Sequence, residues 1–121
     1  MVNASATDPL NATYIIEGHN VRLINGRSET RPAPGSATRV ITSIFGKPVY
    51  GNLDGRGGVD AALMLTYDPG GSGTFTYVAA ALDENGMIRG TRAILLGDRG
   101  MPRKISIRNG VVIANYANRR P

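Results

Sequence analysis

Three Asn-Gly dipeptides, Asn25-Gly26, Asn85-Gly86 and Asn109-Gly110, constrain this chain more than any other feature. Asn-Gly supplies two adjacent positive-φ positions, the geometry of a type I′ turn, whose twist suits a two-residue hairpin. Each dipeptide therefore fixes a strand register. Around Asn109-Gly110, Ile107 should face Val112 and Ile105 should face Ala114, with Arg108–Val111 and Lys104–Asn115 on the other side. One face is apolar and the other mostly polar, as a half-buried antiparallel pair requires. The same register continued places Tyr116 opposite Arg103. Around Asn25-Gly26, Leu23 should face Ser28 and Val21 Thr30, with Arg22 opposite Glu29 as an ion pair across the ladder. Around Asn85-Gly86, Tyr77 should meet Ile94, Phe75 Leu96, Val78 Ala93 and Thr76 Leu95. Both faces of that last pair are partly apolar, which predicts a place at the sheet centre or between layers.

Two further strands are expected. Residues 38–50 carry Val40, Ile41, Ile44, Phe45 and Val49, interrupted by Gly46 and Pro48, the signature of a bend or an edge. Residues 59–67 hold a continuous apolar run too short for a typical helix, so strand is preferred. Gly18-His19-Asn20 marks a turn between residues 14–17 and 21–24, and 68–73 reads as a hairpin loop. With 16 glycines and 7 prolines spread over 121 residues, the chain reads as many short strands joined by turns. The expected fold is all-β, an antiparallel meander of seven or eight strands forming a barrel or a two-layer sandwich. Residues 1–12 are expected as a loose arm, 13–117 as one domain and 118–121 as a short basic tail.

The stretch Gly51-Asn52-Leu53-Asp54-Gly55-Arg56-Gly57-Gly58-Val59-Asp60 spaces oxygen-bearing side chains in the manner of a calcium loop, with Asn52, Asp54 and Asp60 at relative positions 1, 3 and 9. Position 5 is Arg56 and position 12 is Leu63, so the loop is not an EF-hand. A guanidinium repels a cation, and Arg56 bridging Asp54 and Asp60 would take the ion's place. No other cofactor is expected.

This loop resembles a degenerate copy of the Gly-Asp-Leu-Asp-Gly-Asp-Gly-x-x-Asp loop of FG-GAP-type repeats. Over residues 11–117 the chain resembles an uncharacterised family of small exported or lipoprotein-type bacterial β domains. The matching stretches are Asn11-Ala-Thr-Tyr14, Pro34-Gly-Ser-Ala37, Gly51-Asn-Leu-Asp-Gly55, Gly70-Gly-Ser-Gly-Thr-Phe75, Ala81-Leu82, Leu96-Gly-Asp-Arg99 and Asn115-Tyr-Ala117. The resemblance implies a periplasmic or extracellular setting and lends no activity. Asn52 and Arg56 depart from the acidic pattern. Residues 1–11 carry neither the basic nor the apolar region of a signal peptide, and no apolar run is long enough for a membrane span.

Charge is uneven. Residues 1–88 carry six basic and eight acidic side chains, whereas residues 89–121 carry eight basic ones and only Asp98. Arg89, Arg92, Lys104 and Arg108 are the candidate anion-binding residues, and nucleic acid is the alternative partner. It is not favoured, because no exposed aromatics accompany the cluster. With one histidine (His19), no cysteine and no nucleophile-elbow pattern, there is little for catalysis to use. The expectation is a non-catalytic binding or scaffold module. Its partner would be a protein or an anion, and strand edges such as residues 38–50 are candidate surfaces for protein contact or self-association.

Overall fold

The computed structural model describes residues 8–31, 39–53, 59–70, 73–84, 87–98 and 101–117, with side chains described at these positions except 97, 98, 101–103 and 115–117. After a single 3-10 turn at Pro9–Asn11 come ten strands: β1 Thr13–Ile16, β2 His19–Arg22, β3 Arg27–Thr30, β4 Val40–Gly51, β5 Asp60–Asp68, β6 Phe75–Glu84, β7 Met87–Gly90, β8 Ile94–Asp98, β9 Met101–Arg108 and β10 Val111–Ala117. The chain is all-β with antiparallel sheets. A central sheet runs β3-β4-β5-β6-β7, with β8 as a second partner of β6, while β1-β2 and β9-β10 are separate hairpins. No barrel closes, because among the described residues β3 and β7 do not pair with each other. No helix among the described residues is long and apolar enough to cross a membrane.

β5 explains why residues 59–67 show no clean alternation. Leu63, Leu65 and Tyr67 pack on one face with Tyr14, Ile16 and Leu23 of the β1-β2 segment, joined by Tyr77, Ala79 and Ala81 of β6. Ala62 and Met64 pack on the opposite face with Ile105, Ile107, Val112 and Ala114 of the β9-β10 hairpin. A strand covered on both faces has no polar side to show. Each hairpin is thus a lid over one face of the same sheet.

The Asn109-Gly110 turn forms as expected, with both residues at positive φ (53° and 76°). Ile107 faces Val112, Ile105 Ala114, Arg108 Val111 and Lys104 Asn115. The register then shifts, and Tyr116 pairs with Pro102 rather than Arg103. Proline has no N–H for the ladder, so a bulge beside it is the ordinary outcome. Strand β4 bends where Gly46 and Pro48 stand, its register on β5 shifting between Phe45 and Val49.

The Asn85-Gly86 turn lies outside the described residues, but its register holds beside it: Glu84 faces Met87, Asp83 Ile88 and Leu82 Arg89. Farther along, the expected pairs give way to Val78–Ile94, Tyr77–Leu95, Thr76–Gly97 and Phe75–Asp98. The slip has a visible cause. At Thr91 the chain leaves β6 for β1: the Ile15 N–H donates to the Thr91 carbonyl (3.1 Å) and the Ala93 N–H to the Ile15 carbonyl (2.7 Å). The Thr91 hydroxyl meanwhile accepts the Ala80 N–H at 3.0 Å, filling the gap left in the β6 ladder. Residues 87–98 are therefore two strands instead of one, and β8 is an edge, with Ile94 64% and Leu95 52% exposed.

Residues 8–12, part of the segment expected as a loose arm, are packed. Pro9 is buried and its carbonyl accepts the Tyr14 hydroxyl at 2.7 Å. The Asn11 side chain accepts the Asn25 N–H at 3.0 Å.

Candidate functional site

The most informative departure from the sequence reading is at Asn25-Gly26. The turn forms, with φ of 53° and 83°, and Ile24 and Arg27 bond to each other across it. The hairpin stops there. Strand β2 pairs with β1, folded back at a Glu17-Gly18 turn (φ 52° and 80°), and β3 pairs with β4. The turn itself is pulled aside: the Gly26 N–H donates to the Leu10 carbonyl and its own carbonyl accepts the Ile44 N–H, both at 2.9 Å. A side chain at 26 would sit 2.9 Å from the Ile44 methyl, so only glycine lets the turn lie this deep. Glu29 consequently pairs with Arg27 (3.2 Å) and Arg39 (2.9 Å) instead of Arg22.

Where β2 and β3 would have joined there is a cleft of about 600 Å³. Its lining runs from His19, Asn20, Val21 and Arg22 on β2 to Ser28 and Thr30 on β3, across Val40 and Thr42 of β4 to Tyr67 of β5. Val21, Val40 and Tyr67 belong to the adjoining core and make an apolar floor, while exposed His19, Asn20, Arg22 and Thr30 make a polar rim. Neither His19 nor Arg22 has an ion-pair or side-chain hydrogen-bond partner among the described residues. Sequence reasoning placed His19 in a turn but had no signal for the cleft, since it arises from two strands that fail to pair. A smaller recess of about 320 Å³ lies between the β1-β2 hairpin and β7, lined in part by Arg22, Arg89 and Gly90.

Beneath the cleft, Tyr67 and Tyr77 meet edge to face with centroids 5.9 Å apart. The Tyr77 hydroxyl donates to Glu17 at the β1-β2 turn. Burial first, then the Glu17 hydrogen bond and charge, push the Tyr77 phenol well above its usual range. Burial and Glu17 raise Tyr67 as well. The unfolded phenol titrates near pH 10. The folded protein keeps its proton longer, so this stability is complete below about pH 10 and lost as pH rises beyond it. Tyr77 should contribute a loss of up to about 1.4 kcal/mol per pH unit above 10. Urea unfolding at pH 9, 10 and 11 checks this, and Tyr77→Phe should flatten the slope by one tyrosine's share. A slope identical in the variant would remove Tyr77 from the account.

Comparison with known protein families, with curated proteins and with solved structures found no match to this chain. Function must therefore be read from the site.

The residues singled out by sequence are dispersed. Asp54 and Arg56 lie outside the described residues. Asp60 is fully buried, and its two carboxylate oxygens accept the Leu53 N–H at 2.7 Å and the Asp83 N–H at 2.9 Å. As placed, Asp60 is a clasp between β5, the end of β6 and the start of the glycine-rich loop, and a carboxylate turned inward in this way does not fit an open calcium ligand. Among the described residues no cluster of three or more histidine or acidic side chains stands ready for a metal.

The candidate anion-binding residues also separate. Arg89, on the edge strand β7, is held by both oxygens of Glu84 at 3.0 Å. Lys104 and Arg108 are exposed on β9, in the hairpin that covers Ala62 and Met64. Arg92 borders a shallow apolar recess with Ile94 and Val112.

Proposed function

We propose that the chain is a non-catalytic binding module whose ligand seat is the β2-β3 cleft. One observation carries this reading: a cavity of about 600 Å³ with an apolar floor of Val21, Val40 and Tyr67 and a rim bearing Arg22 and His19. Such a volume and such a mixture of an apolar surface with a few placed polar groups suit a ligand better than a solvent-filled seam. The exported setting implied by the resemblance is part of this proposal, as is a protein or anionic partner. An anion or nucleic-acid surface would rest on Lys104 and Arg108, since Arg89 is paired with Glu84.

His19 is the only histidine in the chain, so its ring protons report on the cleft without assignment. Titrating 8-anilinonaphthalene-1-sulfonate, an apolar ring system with one negative charge, should shift these signals saturably. Val40→Arg, which places a long charged side chain over the floor, should abolish the shift while the chain stays folded. A single-stranded oligonucleotide is the control and should leave His19 unmoved. Dye binding that never perturbs His19 would remove the cleft from consideration.

A further inference from the structure

We infer that the ligand of the β2-β3 cleft is an extended acidic peptide segment, bound as an added strand between β2 and β3. The inference rests on the binding-module reading and names the class of ligand. It follows from where the backbone groups point. The Leu23 N–H donates to the Ala12 carbonyl, which makes 12/23, 14/21 and 16/19 the hydrogen-bonded pairs of the β1-β2 ladder, given its register. The N–H and C=O groups of Asn20 and Arg22 therefore point away from β1, toward the cleft. The Ile44 N–H donates to the Gly26 carbonyl, so in the β3-β4 register Gly26, Ser28 and Thr30 face β4. Arg27 and Glu29 face the other way. Arg27 is taken by Ile24, but Asn20, Arg22 and Glu29 have no backbone partner across the seam among the described residues. Two facing edges, each four residues long, thus offer donors and acceptors to the same space.

The dimensions suit one strand. Strands lie about 4.8 Å apart in a sheet about 10 Å thick and rise about 3.3 Å per residue, so four residues occupy roughly 600 Å³. The cleft measures about 600 Å³. The chemistry selects the sequence of that strand. Alternate side chains would point down onto Val21, Val40, Thr42 and Tyr67 and call for apolar residues. Those between would point outward beside Arg22, whose charge is unmatched among the described residues, while Glu29 is already held by Arg27 and Arg39. The outward positions therefore favour carboxylates.

A capped hexapeptide of alternating valine and glutamate is the probe, read by the His19 ring signals and by amide exchange at Asn20, Arg22 and Glu29. The expected result is a saturable His19 shift, with these amides exchanging fast in the free protein and slowly in the complex. N-methylating alternate peptide amides removes hydrogen bonds without altering side chains and should weaken binding about tenfold or more. Arg22→Glu should reverse the preference toward the valine–lysine peptide. If the N-methylated peptide binds as tightly as its parent, or if Arg22 and Glu29 exchange slowly in the free protein because β2 and β3 have zipped together, the inference is overturned. If the dye shifts His19 and the peptide does not, the strand inference falls and the cleft reading stands. If neither shifts it, both fall.

Discussion

Gly90→Ala should cost about 3–5 kcal/mol, one of the two largest losses expected of a single substitution in this chain. A β-carbon built on residue 90 would lie 1.9 Å from the Thr13 carbonyl oxygen, 2.7 Å from its carbon and 3.0 Å from the Tyr14 ring. Two of these three are backbone atoms and cannot swing aside as the end of a side chain could. Relief requires β1 to retreat from β7. That movement strains the bonds of Ile15 to Thr91 and Ala93 and lifts Tyr14 and Ile16, both fully buried, off the core they share with Leu63 and Leu65. Overpacking alone costs about 1–3 kcal/mol, and each lost hydrogen bond adds about 1. For a domain of this size the thermal midpoint should fall by roughly 12–20 °C. Urea unfolding is the direct check, with the midpoint falling and the slope unchanged. A loss below about 1 kcal/mol would mean that β1 is not seated as closely on β7 as the structure places it.

That contact also matters for the cleft. Among the described strands β2 pairs with β1 alone, with Val21 packed on the core, and β1 is held to the central sheet at Thr91–Ala93 and through the buried faces of Tyr14 and Ile16. On the other flank, Gly26 bonded to Leu10 and Ile44 keeps β3 turned toward β4. The seam stays open because both strands are anchored elsewhere. A Gly90 variant should therefore lose ligand response at His19 together with stability.

What could be read in the sequence followed from how local each signal was. The Asn109-Gly110 hairpin was legible to the pair as far as Lys104–Asn115, because a two-residue turn and one apolar face decide it without help from distant residues. The run of 59–67 was legible as strand from its length, while its cover on both faces depends on the two distant hairpins. Arg22 opposite Glu29 was locally sensible yet is not made. The deciding interactions come from Leu10 and Ile44, far along the chain and carried by backbone groups that no side-chain pattern reports. The slip in residues 87–98 has the same origin, since Ile15 takes the Thr91 carbonyl and the Ala93 N–H while the Thr91 N–H still reaches the Ala80 carbonyl of β6. The cleft is the sum of these long-range choices, so its floor residues Val21, Val40 and Tyr67 read in sequence only as core. Asp60 was noticed for its spacing to Asn52 and Asp54, and its burial was the part that spacing could not convey.

Asp60→Ala should cost about 3 kcal/mol, and Asp60→Asn nearly as much. The carboxylate accepts one backbone N–H on each oxygen, from Leu53 and from Asp83. Alanine takes that partner from a buried donor at Asp83 and a half-buried one at Leu53, at about 1–3 kcal/mol for the first and less for the second, offset in part by no longer burying a charge. Asparagine looks conservative but has only one acceptor oxygen. Its NH₂ must then face whichever N–H the oxygen does not serve, donor against donor. Amide exchange should localise the damage, with Leu53 and Asp83 losing protection first because they are the two groups released. Full stability in Asp60→Asn would show that a single acceptor is enough and that the clasp is looser than drawn. The same variants settle what the loop's spacing means. If Asp60 is a clasp, millimolar calcium leaves the unmodified protein's midpoint where it was. If the loop instead takes calcium, an ion at 100 times its dissociation constant adds about 2.7 kcal/mol to the unmodified chain and nothing to Asp60→Ala. That outcome would turn the carboxylate from a strand fastener into an ion ligand.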